Sequence, residues 1–151
     1  MKFEQAKDIL ERAMSFHRMI GNYYQNCLET TKNQRLKMLL TYLIEHENQL
    51  LVGLEDYSKK APKKVLDAWL QFSTCSEKFD ELKEKLTEFN PSVEAVQDLT
   101  MNLYNCIVTQ FESLSKTTEG EDVKTIFLNI AAKEKKEQKK LARNFQQMNE
   151  L

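Results

Sequence analysis

The sequence is poor in residues that interrupt helices. Only two prolines and three glycines occur in 151 residues, which leaves few points at which a helix must stop. With 30% charged residues and abundant Leu, Lys, Glu and Gln, that scarcity predicts an all-helical chain of one domain, long enough to bury a substantial core. Cysteine is sparse too. Cys27, Cys75 and Cys106 are widely spaced and form no CxxC pair, so the expectation is no disulfide framework, a reducing compartment, and Cys27 and Cys106 as packing residues. No apolar run approaches the length needed to span a bilayer, which gives the expectation of no membrane insertion. The N-terminal MKFEQAKDIL is amphipathic and acidic early, unlike a signal peptide, and the protein is expected to be soluble and cytoplasmic. Net charge is −1, so nothing draws the chain in bulk to nucleic acid or anionic lipid. The basic run Lys133, Lys135, Lys136, Lys139, Lys140 and Arg143 reads as a solvated helix face. There is no Gly-rich phosphate loop, no nucleophile elbow and no cysteine beside a local base, so nucleophilic catalysis has no support.

What the chain does have is long helical periodicity. Apolar positions alternate at spacings of three and four, and so share one face of each helix. The first stripe is Phe3, Ala6, Leu10, Ala13, His17, Ile20, Tyr24 and Cys27; the second is Leu36, Leu40, Leu43, Glu47, Leu50, Leu54 and Tyr57. The last is Phe127, Ile130, Glu134, Glu137, Leu141 and Met148, around Asn144. Helices are predicted over about 3–28 and 34–57, the second capped by Thr31 or Asn33, and over about 92–115 and from Thr118–Glu121 to near the C-terminus. Asn90-Pro91 reads as the cap and first turn of the third long helix.

Two helix hairpins, 3–57 and 92–150, are thus joined by a crossover over 58–91, about 33 residues that include helical segments at Lys63–Phe72 and, after a Thr74/Glu77 capping box, Cys75–Phe89. Trp69 is expected to anchor the crossover. A connection this long can travel the length of a bundle and return the third helix parallel to the second. A five-helix up-and-down bundle is the competing plan.

Three ionisable side chains, His17, Glu47 and Glu134, interrupt these stripes, with Glu137 one turn beyond the last. A carboxylate at such a position must be paired, protonated or bound to a metal, because burying it bare is prohibitively costly. His46 lies one residue from Glu47, rotated by about 100° on the helix, and is expected at the surface or an interface.

The stretch Ile130-Ala131-Ala132-Lys133-Glu134-Lys135-Lys136-Glu137 resembles the fourth helix of rubrerythrins, where an apolar residue precedes a Glu-x-x-His metal motif. Leu43 through Leu50, with Glu47 in the same register, resembles the second-helix copy. His17 seven residues before Tyr24, and Tyr104 seven before Phe111, resemble the first and third helices, in which a ligand Glu precedes an aromatic by that interval. The resemblance implies a ferritin-like, left-handed four-helix bundle with its crossover packed outside, and a site built from one Glu on each of two helices and Glu-x-x-His on the other two. Here the two lone Glu positions hold His17 and Tyr104, and the two motif histidines are Leu50 and Glu137.

Two readings of this degenerate centre stay open. His17, Glu47, Glu134 and Glu137, lined by Tyr104, Leu50, Tyr24 and Phe111, could hold one divalent ion (Fe, Zn or Mn). Alternatively His17, protonated between Glu47 and Glu134 with Tyr104 donating a hydrogen bond, would satisfy the cluster without metal. The chain would then serve as a scaffold or interaction module, expected to self-associate as a dimer. In that case Glu47→Leu reads as neutral or stabilising. A third arrangement turns the last helix so that Ala131, Ala132 and Gln138 face the core and both glutamates face solvent.

Overall fold

The computed structural model describes residues 2–72, 80–81, 84 and 91–150. It is mostly helical, as the composition predicts. The order is β1 (Lys2–Gln5), α1 (Ala6–Thr30), α2 (Gln34–Lys60), α3 (Lys63–Leu66), β2 (Trp69–Phe72), α4 (Val93–Thr117) and α5 (Glu121–Asn149). Helix α1 runs unbroken through Gly21. Asn33 starts α2 by accepting hydrogen bonds from the Arg35 and Leu36 backbone N–H groups, two donors with no partner inside the helix. The α4 cap is Ser92, which accepts from Ala95 N–H, rather than Asn90-Pro91. Thr118 does not cap α5; its hydroxyl donates back to the Leu114 carbonyl, and Gly120 is the N-cap.

The small departure from an all-helical chain is at the start. Residues 2–5 form an extended strand antiparallel to β2, pairing Phe3 with Gln71 and Glu4 with Leu70. Ala6 N–H then donates to the Ala68 carbonyl at 2.8 Å. The helix predicted over Lys63–Phe72 therefore ends at Leu66. The aromatic-rich Trp69–Phe72 instead uses its backbone groups in the two-stranded ladder. Leu70 is buried there, while Phe3 and Trp69 are 69% and 67% exposed, so Trp69 is not the expected anchor. The helical segment and capping box predicted within 74–89 lie outside the described residues, apart from isolated positions.

The four long helices share one apolar core containing Ile9, Ile20, Tyr24, Leu40, Leu103, Phe127 and Leu141, all but inaccessible to solvent. Burying each such side chain contributes about 1.5–3 kcal/mol before the entropy of ordering is subtracted. Pairing fixes helix directions. Along α2 and α5, Arg35 meets Met148, Tyr42 meets Asn144, and His46 meets Glu137, so the two run antiparallel. Gln97 with Asn149 and Asn105 with Gln138 show the same for α4 and α5. Tyr24 with Thr100 at 2.6 Å and His17 beside Tyr104 show it for α1 and α4.

Candidate functional site

The expected convergence is present in the geometry. His17, Glu47, Glu134 and Tyr104 are each at most 3% exposed and meet midway along the helices. The His17 ring lies between two carboxylates: Nδ1 is 2.5 Å from Glu47 Oε2, and Nε2 is 2.9 Å from Glu134 Oε1. Tyr104 donates its hydroxyl hydrogen to Glu47 Oε1 at 3.0 Å. Glu134 is buried with Ala131, Phe127 and Ile130, while Lys133, Lys135, Lys136, Lys139 and Lys140 are exposed, which excludes the rotated arrangement of that helix. Three-four spacing keeps 127, 130, 134 and 141 on one face, and turning them outward would expose the helix's largest apolar groups.

Two expected placements need correction. His46 is not at the surface but 4% exposed. Its Nδ1 lies 3.0 Å from the Tyr104 hydroxyl, and its Nε2 is 2.7 Å from Glu137 Oε2. Glu137 therefore pairs with His46 rather than joining His17. The argument that adjacent helical residues cannot share a centre fails because the buried arc of α2 is wide. Leu39, Leu43, His46 and Leu50 occupy one edge of it, and Leu36, Leu40, Glu47 and Leu54 the other. His46 and Glu47 reach the same Tyr104 oxygen from these two edges. The signal was available in the sequence: Leu39 sits seven residues before His46, a second apolar row beside the stripe.

The lining residues divide. Tyr24 hydrogen-bonds Thr100, and its phenol is raised well above the usual range, by burial first and then by the charge of Glu47. Leu50 lies against Glu134 in the wall of a cavity. Phe111 belongs to the apolar core, stacked on Phe127 at 6.1 Å between centroids. Of the cysteines, Cys27 is free and buried, as expected. Cys106 is disulfide-bonded, which corrects the expectation of reduced thiols throughout. Disulfides are rare in reducing compartments.

The cluster's protonation follows from its hydrogen bonds. Burial works to lower the His17 pKa, but the charges of Glu134 and Glu47 and their hydrogen bonds outweigh it and hold the ring well above its ordinary 6.5. The imidazolium, with an N–H on each nitrogen, donates to one oxygen of each carboxylate. Tyr104, its phenol raised by burial and by Glu47, keeps the proton it donates.

A metal centre needs its donor atoms aimed at one point. Here the two carboxylates sit on opposite edges of one ring, both nitrogens of that ring are occupied, Leu50 offers no donor, and Glu137 is engaged by His46. Among the described residues no group of three or more His, Cys, Asp or Glu side chains is disposed to hold a metal ion. As arranged, these residues do not fit the metal centre implied by the family resemblance.

A titration follows from the raised His17. Because folding raises the pKa above its unfolded value near 6.5, the folded state binds the proton more tightly. The stability this gives is fully present below pH 6.5 and is lost as pH rises through the folded pKa. The urea midpoint is expected to fall from pH 6.5 towards the alkaline range, and the His17 ring NMR signals to stay constant through pH 6.5. A His17 signal titrating near 6.5 would contradict the bridged imidazolium.

No protein-family model matches the sequence, and comparisons with curated proteins and with solved structures also return no match.

Proposed function

We propose that this chain is a ferritin-like helical bundle whose degenerate carboxylate/histidine centre is a metal-free polar cluster, and that it acts as a scaffold or interaction module rather than as a redox enzyme. The ferritin-like part draws support from helix direction. Since α2 and α4 are each antiparallel to α5, they run parallel to each other, and only a crossover the length of the bundle joins helices that way. The kinship to rubrerythrins belongs to the same proposal. It rests on Glu47 and Glu134 standing at one level in the register of the two motif glutamates, with His17 and Tyr104 opposite them.

The observation that carries the functional reading is the doubly bridged His17 imidazole. Its two carboxylates are neutralised by a proton-carrying ring instead of by divalent cations, and peroxide or oxygen reduction at a two-metal centre has no ligand set to run on. Net charge of −1 favours neither nucleic acid nor an anionic membrane surface, and among the described residues no helix is long and apolar enough to cross a membrane. A protein partner, beginning with a second copy of this chain in a dimer, is the remaining class, and sedimentation reads it directly.

The test is thermal unfolding of protein purified without metal-affinity resin, with and without a chelator. A metal that binds only the folded state would add stability that the chelator removes. The midpoint is expected to be unchanged, with less than stoichiometric Fe, Zn or Mn by elemental analysis. A chelator-induced drop of several degrees would overturn the reading in favour of the single-ion site.

A further inference from the structure

A cavity of about 250 Å3 opens between α2 and α5 beside the His17 cluster, with Leu50, Leu54, Tyr57, Ile130 and Glu134 in its wall. Glu134 is 1% exposed. Its Oε1 is held by His17, but its Oε2 is buried with no hydrogen-bond partner among the described residues. An orphaned carboxylate oxygen in a low-dielectric place is costly and calls for a donor. The charge count says which kind. Glu47 and Glu134 share one imidazolium, and Lys133, the cation in the same wall, lies over Gly53 and makes no ion pair with Glu134 among the described residues, so one negative charge is left without a contact partner. The apolar walls, in turn, favour a ligand that brings hydrocarbon with its charge over a bare hydrated ion.

We propose that this cavity is a binding site for a small primary alkylammonium ion, its N–H donated to Glu134 Oε2 and its carbon chain packed against Leu50, Leu54 and Ile130. The inference rests on the cavity and on Glu134, not on the scaffold role. Two neighbouring residues tune the site. Lys133 Nζ lies over Gly53, where a Cβ would stand, and both line the cavity. Its like charge opposes a cation, so the neutral Lys133→Met tightens binding. A larger side chain at Gly53 need only displace the flexible end of Lys133, and it then narrows the cavity while leaving the His17–Glu134 hydrogen bond in place.

The experiment titrates the full chain, isotopically labelled, with n-butylammonium chloride while NMR follows the backbone amides at constant ionic strength. Saturable shifts centred on Leu50, Gly53, Asn129 and Ile130 are expected. Binding should weaken at least tenfold in Glu134→Gln and vanish in Gly53→Val, and it should tighten in Lys133→Met. Tetramethylammonium, which carries charge but no N–H, and 1-butanol, which carries an O–H but no charge, should bind at least tenfold more weakly. Should Glu134→Gln fail to fold, Gly53→Val decides alone. Absence of saturation at millimolar ligand, undiminished binding in Gly53→Val, or equal binding of either control overturns the proposal. Failure here leaves the chelator result untouched, so the two readings fall separately.

Discussion

Glu47→Leu is expected to lower the unfolding free energy by about 3–5 kcal/mol, the range for breaking a buried ion pair by removing one partner. On the metal-free reading of the sequence the substitution is neutral or stabilising, because leucine removes a desolvated charge. The structure reverses that sign. Glu47 serves two buried donors, His17 Nδ1–H through Oε2 and the Tyr104 hydroxyl through Oε1. Leucine offers neither an acceptor, and each buried donor left unmade costs about 1–3 kcal/mol. It also leaves the His17 cation with Glu134 alone. Urea unfolding of wild type and variant measures the difference. The companion variant replaces the ionic set together, His17→Leu, Glu47→Leu and Glu134→Leu, and keeps Tyr104, whose hydroxyl still has His46 Nδ1 as a partner. It should recover most of the loss, since exchanging a whole buried ionic group for well-packed apolar residues is often neutral or stabilising. A single Glu47→Leu variant as stable as wild type would show that the cluster is not held by these bonds.

His17→Leu is expected to cost a similar amount, about 3–5 kcal/mol near neutral pH, for a different reason. It removes the one cation between Glu47 and Glu134, leaving two carboxylates buried without a counter-charge. The variant has no imidazole there, so its stability lacks the His17-linked fall above pH 6.5. Wild type, by contrast, is expected to lose stability above pH 6.5, where the unfolded chain gives up the His17 proton that the folded state still holds. The two pH profiles, taken by urea midpoint from pH 4.5 to 9, therefore differ in slope above pH 6.5. Parallel profiles across that range would mean that His17 is not the group neutralising the pair.

Much of the centre was legible because helical periodicity is a local property. His17, Glu47 and Glu134 interrupt apolar rows at spacings of three and four, and a residue in such a row faces the core whatever the neighbouring helix turns out to be. Tyr104 was reached through its interval to Phe111, although Phe111 itself packs on Phe127 away from the hydrogen bonds. His46 was misplaced because a single stripe was taken as the full width of the buried face. Burial on α2 extends across Leu39 and His46, a width set by how many helices surround it. Glu137, expected as a fourth ligand of one ion, pairs with His46 instead: a residue one turn from Glu134 is partly exposed, and the position of His46 on the facing helix captures it.

The four long helices, their bounds to within about three residues, and the carboxylates and imidazole that enter the core are legible in the sequence alone. All of these depend on residues within a few positions of one another, through hydrogen bonds along one helix and the face that a period of 3.6 defines. The tertiary structure decided what those groups do to each other. That His17 is clasped on both edges, that Tyr104 joins His46 to Glu47, and that Glu134 keeps a buried oxygen without a partner are outcomes of side chains from four helices meeting at one level. The same holds for the pairing of Lys2–Gln5 with Trp69–Phe72, segments more than sixty residues apart whose backbone groups find partners only in each other. Such contacts depend on distances across the fold, and no periodicity along the chain encodes them.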